Sequence, residues 1–407
     1  MTELERFLKY ISIDTTSLSD SDKFPSADNQ FYLLEQLKEE LENLGITDIN
    51  YDTDNCYLYA CLKGDSQLPK VGFIAHLDTA ENVPGKNIKP KIIKDYNGQD
   101  VQLNECSILS TEKFPDLKEH KGKTLITTDG TTLLGADDKA GIAEIMTALE
   151  HFSKTKERHG DIYVCFTPDE EIGKSLDRFK PELFPVTYAY TVDGSELGEL
   201  SYENFNAATA TINIKGCATH TGYAKGLMVN SLLIANAIIS SLPEKEIPSE
   251  TENYEGFFHL NELEGEPSFT KITYLIRDFD KQKFNKRKQF LQEVINRLNE
   301  QYSNRISLEI KDTYQNMRNI IEQDMTVVDI ANTAMESISI KPIITPIRGG
   351  TDGSDLSSLG IPCPNLGTGG HNFHSINEYI TLEDMEKSTE VLIAIVKETA
   401  TRKVLRK

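Results

Sequence analysis

Apolar residues in the first half of the chain occur in short runs separated by polar segments. Continuous apolar runs predict buried strands near residues 56–62, 71–76, 161–167 and 187–192. Helical spacing of apolar residues predicts one helix from Phe31 to Leu44, with Ser26 as its N-cap, and another from Lys139 to Phe152. Strands that alternate with helices predict an α/β fold with a mainly parallel sheet.

The pattern changes near residue 205, where NAATATINIKG alternates polar and apolar positions. The elements expected after it are a helix, two strands, a charged helix and a last strand, near residues 228–241, 257–263, 269–277, 281–302 and 306–312. This β-α-β-β-α-β order is the ferredoxin-like motif. The α/β pattern then resumes, and Thr381 and Asp384 predict the start of a final helix. Residues 205–315 are therefore expected to form a domain inserted between 1–204 and 316–407.

Composition and charge exclude several classes of protein. A formal net charge of −21 argues against nucleic acid and against anionic membranes, because both need a basic surface. The six cysteines show no paired spacing, which suits reduced thiols and a cytoplasmic protein. The first fifteen residues carry acids and lack the apolar core of a signal peptide.

Side chains that bind metals stand where the predicted strands end. KVGFIAHLDT ends in His76 and Asp78, which point to the same face of a strand. We interpret His76 as a metal ligand and Asp78 as the carboxylate behind it. Asp137 and Asp138, in LLGADDKAG, stand where a loop turns into a helix. Asp137 is the candidate for a carboxylate that bridges two cations, and a helix N-cap is its alternative role.

Three consecutive acids, Asp169, Glu170 and Glu171, follow the next apolar run, and Asp193 closes another in TVDG. Repulsion among neighbouring acids needs a cation or solvent to relieve it, so the alternative is an exposed acidic turn. Adjacent glutamates point in different directions. One of them would bind metal while the other accepts a proton from water.

The last imidazole of the set is either His371 or His374, both in GTGGHNFHSINEY. Carboxylates with two imidazoles suit zinc, cobalt or manganese. The residues thus predict a carboxylate-bridged, two-metal hydrolase. A metal-binding scaffold without catalysis and a globular protein with solvated surface acids are the alternatives.

The ordered motifs HLDT, GADDKAG, TPDEEIG, TVDG, THTGYAKG, IRDFD, RGGTDGSD and NFHSINEY span nearly the whole chain. Together they resemble the tripeptide aminopeptidase branch of the co-catalytic di-zinc family that also holds aminoacylases and glutamate-type carboxypeptidases. The resemblance implies a zinc-peptidase catalytic domain with a ferredoxin-like insert that acts as a lid and dimerisation surface.

Position by position, the resemblance implies that His76 and Asp193 bind one zinc, that Glu171 and His374 bind the other, and that Asp137 bridges them. Glu170 would be the general base, with Asp78 behind His76. In the family the ligand histidine precedes a glutamate, which matches His374 and Glu378, so His371 becomes a residue of the pocket wall.

In the insert, His220 resembles a lid histidine that stabilises the oxyanion, although Thr221 replaces the proline of many relatives. Arg277, Asn316 and Arg348 resemble residues that hold the substrate. The implied activity is release of the N-terminal residue from unblocked tripeptides by a cytoplasmic homodimer with two Zn²⁺ per subunit, for which Co²⁺ or Mn²⁺ could substitute. A related di-zinc N-acyl amino-acid deacylase or carboxypeptidase is the alternative.

Overall fold

The chain folds into two compact units in a computed structural model that describes residues 1–155 and 157–402. The first unit contains Met1–Tyr202, Asn319–Thr345 and the chain from Thr351 onward. The second contains Glu203–Arg318 and Pro346–Gly350. The insert expected at 205–315 lies inside the second unit, which also takes up the short segment near residue 348.

The α-helices of the described residues are, in chain order, α1 (Glu3–Ile11), α2 (Gln30–Asn43), α3 (Ala136–Lys154), α4 (Ser231–Ile239), α5 (Lys281–Gln301), α6 (Arg318–Ile321), α7 (Thr326–Ser337), α8 (Asp352–Ser358) and α9 (Leu382–Thr399). Short 3₁₀ turns lie at Glu170–Ile172 and at Thr221–Tyr223. Among the residues that the structure describes, no helix is both long and apolar enough to cross a membrane.

The strands are β1 (Asp48–Asp52), β2 (Tyr57–Leu62), β3 (Val71–His76), β4 (Lys91–Ile93), β5 (Val101–Gln102), β6 (Ile108–Leu109), β7 (Leu125–Thr127), β8 (Ile162–Thr167), β9 (Tyr188–Gly194), β10 (Glu199–Ser201), β11 (Asn206–Lys215), β12 (Phe257–Glu266), β13 (Phe269–Asp278), β14 (Ile306–Tyr314), β15 (Ile343–Ile344), β16 (Asn365–Gly367), β17 (Gly370–His371) and β18 (Tyr379–Thr381).

The large sheet of the first unit has the order β1-β2-β8-β3-β9-β16-β10-β15. At its centre β8, β3, β9 and β16 run parallel, and every residue of β3 and β8 is buried. Strands buried on both faces are continuously apolar, which explains the runs in the sequence. The outer pairs β1/β2, β2/β8 and β10/β16 are antiparallel. The expected α/β class is confirmed, and the sheet is mixed rather than parallel throughout.

A smaller sheet in the same unit has the order β17-β18-β7-β4. It is built from the irregular region after residue 85 together with the C-terminal part of the chain. Because β18 pairs with β7, the loop between β17 and β18 is attached to a strand more than 240 residues earlier. This loop carries His374.

The second unit contains a sheet of order β12-β13-β11-β14, all antiparallel, with α4 and α5 packed against it. That order is the one expected for a ferredoxin-like motif. On β11 the alternation read from the sequence is confirmed, because Ala208, Ala210, Ile212 and Ile214 are buried.

The predicted N-cap of α2 is wrong. The helix begins at Gln30 after Asn29, and Ser26 lies outside it. Both the backbone N–H and the hydroxyl of Ser26 instead donate to the carboxylate of Asp169, at 2.6 and 2.5 Å. A serine five residues before the first apolar residue of a helical pattern is a residue type typical of an N-cap, and only the tertiary contact distinguishes the two roles.

Candidate metal centre

The central parallel strands bring three of the predicted segments to one edge of the large sheet. His76, the last residue of β3, pairs with Thr167, the last residue of β8. The 3₁₀ turn that carries Glu170 and Glu171 follows β8, and Asp193 lies near the end of the parallel strand β9. Side chains at this carboxyl edge converge because the strands run in the same direction.

Asp137 enters the cluster from an irregular start of α3. Gly135 has φ +78°, and the backbone dihedral angles of Asp137 and Asp138 are not helical. The regular helix therefore begins at Lys139, and Asp137 lies in a loop rather than on a helical turn. The buried carboxylate of Asp138 turns away and accepts the backbone N–H of His76 at 3.2 Å.

The two oxygens of Asp137 face two different imidazoles. Oδ1 lies 2.9 Å from Nε2 of His76, and Oδ2 lies 2.9 Å from Nε2 of His374. Oδ1 of Asp193 lies 3.4 Å from Nε2 of His76. Oε1 of Glu171 lies 2.9 Å from Nε2 of His374. The five predicted ligands thus form two sets that share one carboxylate.

Glu170 lies beside the first of these sets. A nitrogen of His76 and one carboxylate oxygen each of Glu170 and Asp193 lie within 4.8 Å of one another. The same holds for a nitrogen of His76 and one carboxylate oxygen each of Asp137 and Glu171. The side chain predicted to accept a proton therefore shares its surroundings with the predicted ligands.

Asp78 has a contact that the sequence did not predict. Its Oδ1 and Oδ2 accept the backbone N–H groups of Glu170 and Glu171, at 2.9 and 3.2 Å. Nδ1 of His76 lies 3.0 Å from the backbone carbonyl oxygen of Asp78 and 3.4 Å from its carboxylate. Asp78 therefore holds the turn of the two glutamates in addition to lying behind His76.

The crowding of acids changes how these groups bind protons. Hydrogen bonds to Asp137 and Glu171 raise the pKa of His374 to about 11. Burial and the neighbouring carboxylates of Asp137 and Glu171 raise the pKa of Asp193 to about 7. Burial raises the pKa of Glu170 well above its ordinary value. Each shift has the direction expected where negative charge is concentrated with little water.

Divalent cations fit this set of side chains. The cluster offers the mixed set of nitrogen and oxygen donor atoms that zinc, cobalt and manganese accept. Both imidazoles have a raised pKa beside the carboxylates, so the site favours positive charge. A carboxylate with one oxygen directed to each side is also the geometry needed to bridge two cations.

His371, the other candidate imidazole, is placed elsewhere. It is buried on β17, where its ring stacks on Tyr379 with centroids 4.7 Å apart and lies 4.9 Å from the ring of His120. Burial and the nearby His120 lower the pKa of His371 to about 4. Its role in a pocket wall stays a prediction.

His220 belongs to the second unit. It precedes the 3₁₀ turn that begins at Thr221, and its Nδ1 accepts the backbone N–H of Gly222 at 3.1 Å. The imidazole is exposed and lies 5.5 Å from the ring of Tyr223. Its assignment as an oxyanion donor stays a prediction.

The three predicted substrate-binding residues also lie in the second unit. Arg277 donates to the carbonyl oxygens of Ala208 and Ile276 and lies over the ring of Tyr314. Asn316 is buried, and its Oδ1 accepts the backbone N–H of Asn204.

Arg348 donates to backbone carbonyl oxygens of Thr251, Asn253 and Glu255. These contacts are internal to the second unit. The substrate-binding roles of all three residues stay predictions.

Two further carboxylates support the cluster and were not predicted to do so. Asp169, at φ +57°, accepts hydrogen bonds from Ser26 and Gln30 and so anchors the turn that begins with Glu170. Glu378 accepts backbone N–H groups of the loop that carries Asp137. The hydrogen-bond partners of Asp169 and of Glu378 are more than 100 residues away in the sequence, so residue spacing gave no signal for these contacts.

A mixed α/β sheet with carboxylates and imidazoles gathered at the ends of its parallel strands defines the class of metal-dependent α/β hydrolases. The profile of peptidase family M20/M25/M40 matches residues 126–398. The chain belongs to this family and is a metal-dependent peptidase, as the sequence motifs predicted.

Individual relatives agree with the family. The chain is 50% identical over 399 residues to a protein named Peptidase T from Caldanaerobacter subterraneus subsp. tengcongensis, with 97% of each chain covered. The crystal structure of aminopeptidase PepT from Bacillus cereus matches with a TM-score of 0.77 at 23% identity, over 98% of each chain. A dinuclear metal-binding peptidase of the M20 family from Bacillus subtilis matches with a TM-score of 0.67 at 13% identity, again over 98% of each chain. These two structures are similar to the chain in fold.

Proposed function

We propose that the protein is a tripeptide aminopeptidase that releases the N-terminal residue from unblocked tripeptides. Membership in the peptidase family and about half identity over 97% of the chain to a Peptidase T support this substrate class. The observation that carries the chemistry is the carboxylate of Asp137, with one oxygen directed to each of two imidazoles.

Two cation positions follow from this arrangement. His76, Asp193 and one oxygen of Asp137 would hold the first, while His374, Glu171 and the other oxygen of Asp137 would hold the second. Zn²⁺ is the proposed ion, with Co²⁺ or Mn²⁺ as substitutes. When bound, such a pair of cations supplies Lewis acidity that lowers the pKa of water and polarises a carbonyl group.

Glu170 is the proposed general base. Its carboxylate accepts a proton from water as the oxygen attacks the first carbonyl carbon of the peptide. Burial raises the pKa of Glu170, so the protonated carboxyl group is also a suitable acid for the leaving amine. Asp78 keeps this side chain in place through the backbone of the same turn.

Four further residues are proposed to act on the substrate. His220 is proposed to donate a hydrogen bond to the oxyanion, a contact typically worth about 3–4 kcal/mol. Arg277, Asn316 and Arg348 are proposed to contact the substrate backbone or its terminal carboxylate.

The deciding experiment measures amino acid released from an unblocked alanine tripeptide with added Zn²⁺ or Co²⁺, and again with a chelator. The matched substrates are the dipeptide, the tetrapeptide, the N-acetylated tripeptide and an N-acetyl amino acid. We expect release of the N-terminal residue from the tripeptide alone, abolished by the chelator. Cleavage of N-acyl amino acids instead would assign the alternative deacylase activity, and release from the C-terminus would assign a carboxypeptidase.

A homodimer in the cytoplasm is the further proposal. The second unit exposes apolar side chains on β12 and α4, among them Leu263 and Leu233, and β12 is an edge strand. Exposed apolar groups beside the free edge of a strand suit a second copy of the chain. The cysteines are free thiols, as suits a reducing compartment. Sedimentation near twice 45.7 kDa would support the dimer, and a strict monomer would contradict it.

A further inference from the structure

We propose that Glu378 is the positioning residue for the bridging carboxylate: it holds the backbone of residues 134–137 so that Asp137 directs one oxygen to each cation position. The inference rests on the proposed function, because it assigns a task to a residue outside the ligand set. Glu378 is 1% exposed and lies four residues after His374.

The carboxylate of Glu378 accepts four consecutive backbone N–H groups. Its Oε2 accepts from Leu134 and Gly135 at 2.6 and 3.0 Å. Its Oε1 accepts from Ala136 and Asp137 at 2.7 and 3.3 Å. Each oxygen thus takes two backbone donors.

This contact replaces the usual capping of a helix. The first N–H groups of a helix lack partners within it, and a side chain just before the helix normally accepts one of them. Here α3 has no side-chain cap at Gly135, and the backbone of Asp137 and Asp138 leaves the helical conformation. Without Glu378, the N–H groups of residues 134–137 would lose the acceptor that fixes the direction of Asp137.

Glu378 is itself held from the other side. Thr127 donates through Oγ1 to the backbone carbonyl of Glu378 at 3.2 Å, and Thr128 donates to that of Ile376 at 2.9 Å. The segment that begins with His374 is therefore attached to β7 and, through the Glu378 carboxylate, to the Asp137 loop. The side chain of Glu378 therefore fixes the position of the Asp137 loop relative to the segment that carries His374.

The test measures metal binding rather than activity alone. Glu378→Gln replaces one accepting oxygen with an NH₂ group, which cannot accept the N–H groups that face it. Isothermal titration of the metal-free variant with Co²⁺ should give at least one site weakened about 10–100-fold, the effect typical of residues that orient metal ligands. The Co²⁺ absorption spectrum should change as well, because the bridging carboxylate changes its direction.

Glu383→Gln is the matched control. Glu383 lies five residues after Glu378 and also accepts a backbone N–H, that of Thr124, at 2.7 Å. Thr124 does not belong to the Asp137 loop. Its substitution should leave both affinities and the spectrum unchanged. Wild-type affinities and spectrum in Glu378→Gln would overturn the inference. If the wild-type protein binds no Co²⁺ or Zn²⁺, the proposed function fails first and the inference with it.

Hydrogen exchange provides the readout if Glu378→Gln does not fold. In the metal-free wild-type protein, the amides of residues 134–137 should exchange slowly, since all four are bonded to a buried carboxylate. Exchange of these amides at the rate of open loops would contradict the proposed role without any variant.

Discussion

Asp137 and Asp138 are adjacent acids whose side chains have different tasks. Asp137 faces both imidazoles, whereas Asp138 is buried and accepts the N–H of His76. The sequence made Asp137 the candidate bridge, with a helix N-cap as its alternative role. The direction of each side chain could not be predicted, because it depends on the irregular backbone at the start of α3.

Glu170 is expected to be essential for turnover and dispensable for metal binding. Glu170→Gln removes the proton acceptor while keeping the shape of the side chain, so kcat should fall about 10²–10⁴-fold. Metal content by mass spectrometry should equal that of the wild type. Glu182→Gln, at an exposed acid of the same region, is the control. Near wild-type turnover in Glu170→Gln would remove Glu170 from the mechanism.

Asp78 should act on the two glutamates as well as on His76. In Asp78→Asn one accepting oxygen becomes a donor that opposes the N–H of Glu170 or Glu171, so the turn must shift. We expect a loss of about 10–100-fold in kcat/KM or metal affinity, as for other residues that orient a metal site. Steady-state kinetics with saturating Co²⁺ and a titration separate these effects, with the exposed Asp54→Asn as control. Unchanged values in both measurements would contradict this role.

At the scale of elements, the sequence predicted those whose pattern is local. The long strands β3 and β8, the amphipathic helices and the alternating β11 follow from side-chain periodicity. The strands β10, β15 and β16 were not predicted, because each has two or three residues and exists only through pairing with distant neighbours. The same holds for the site. The side chains at strand ends could be predicted from local sequence, whereas the long-range contacts of Glu378 and Asp169 could not.

The cap of α9 gives a test at this scale. Thr381 accepts the backbone N–H of Asp384 through its side chain, as the sequence predicted. Thr381→Ala removes that acceptor and should lower the free energy of unfolding by about 1 kcal/mol. Urea denaturation measures the change. Thr381→Ser keeps the hydroxyl and should lose less, so equal losses in both variants would show that packing of the methyl group, not the cap, stabilises the helix.

For the whole molecule, the cluster of acids links metal binding to stability. A ligand that binds only the folded state adds about 2.7 kcal/mol at a concentration of 100 times its Kd. Removing metal with a chelator should therefore lower Tm by several degrees, and Zn²⁺ or Co²⁺ should restore it. Calorimetry measures the shift, with Asp137→Ala as the variant that should respond less. An identical Tm with and without chelator would argue against bound metal in the purified protein.

The position of β16 has a consequence for synthesis on the ribosome. This strand lies between β9 and β10, yet it emerges more than 160 residues after them. The first unit therefore has an incomplete sheet while residues 203–318 of the second unit are already available to fold. His374 and Glu378 emerge still later, so a nascent chain carries the acidic half of the cluster without its last imidazole. Metal loading is consequently expected after release of the finished chain, and a product truncated before residue 365 should complete neither the sheet nor the centre.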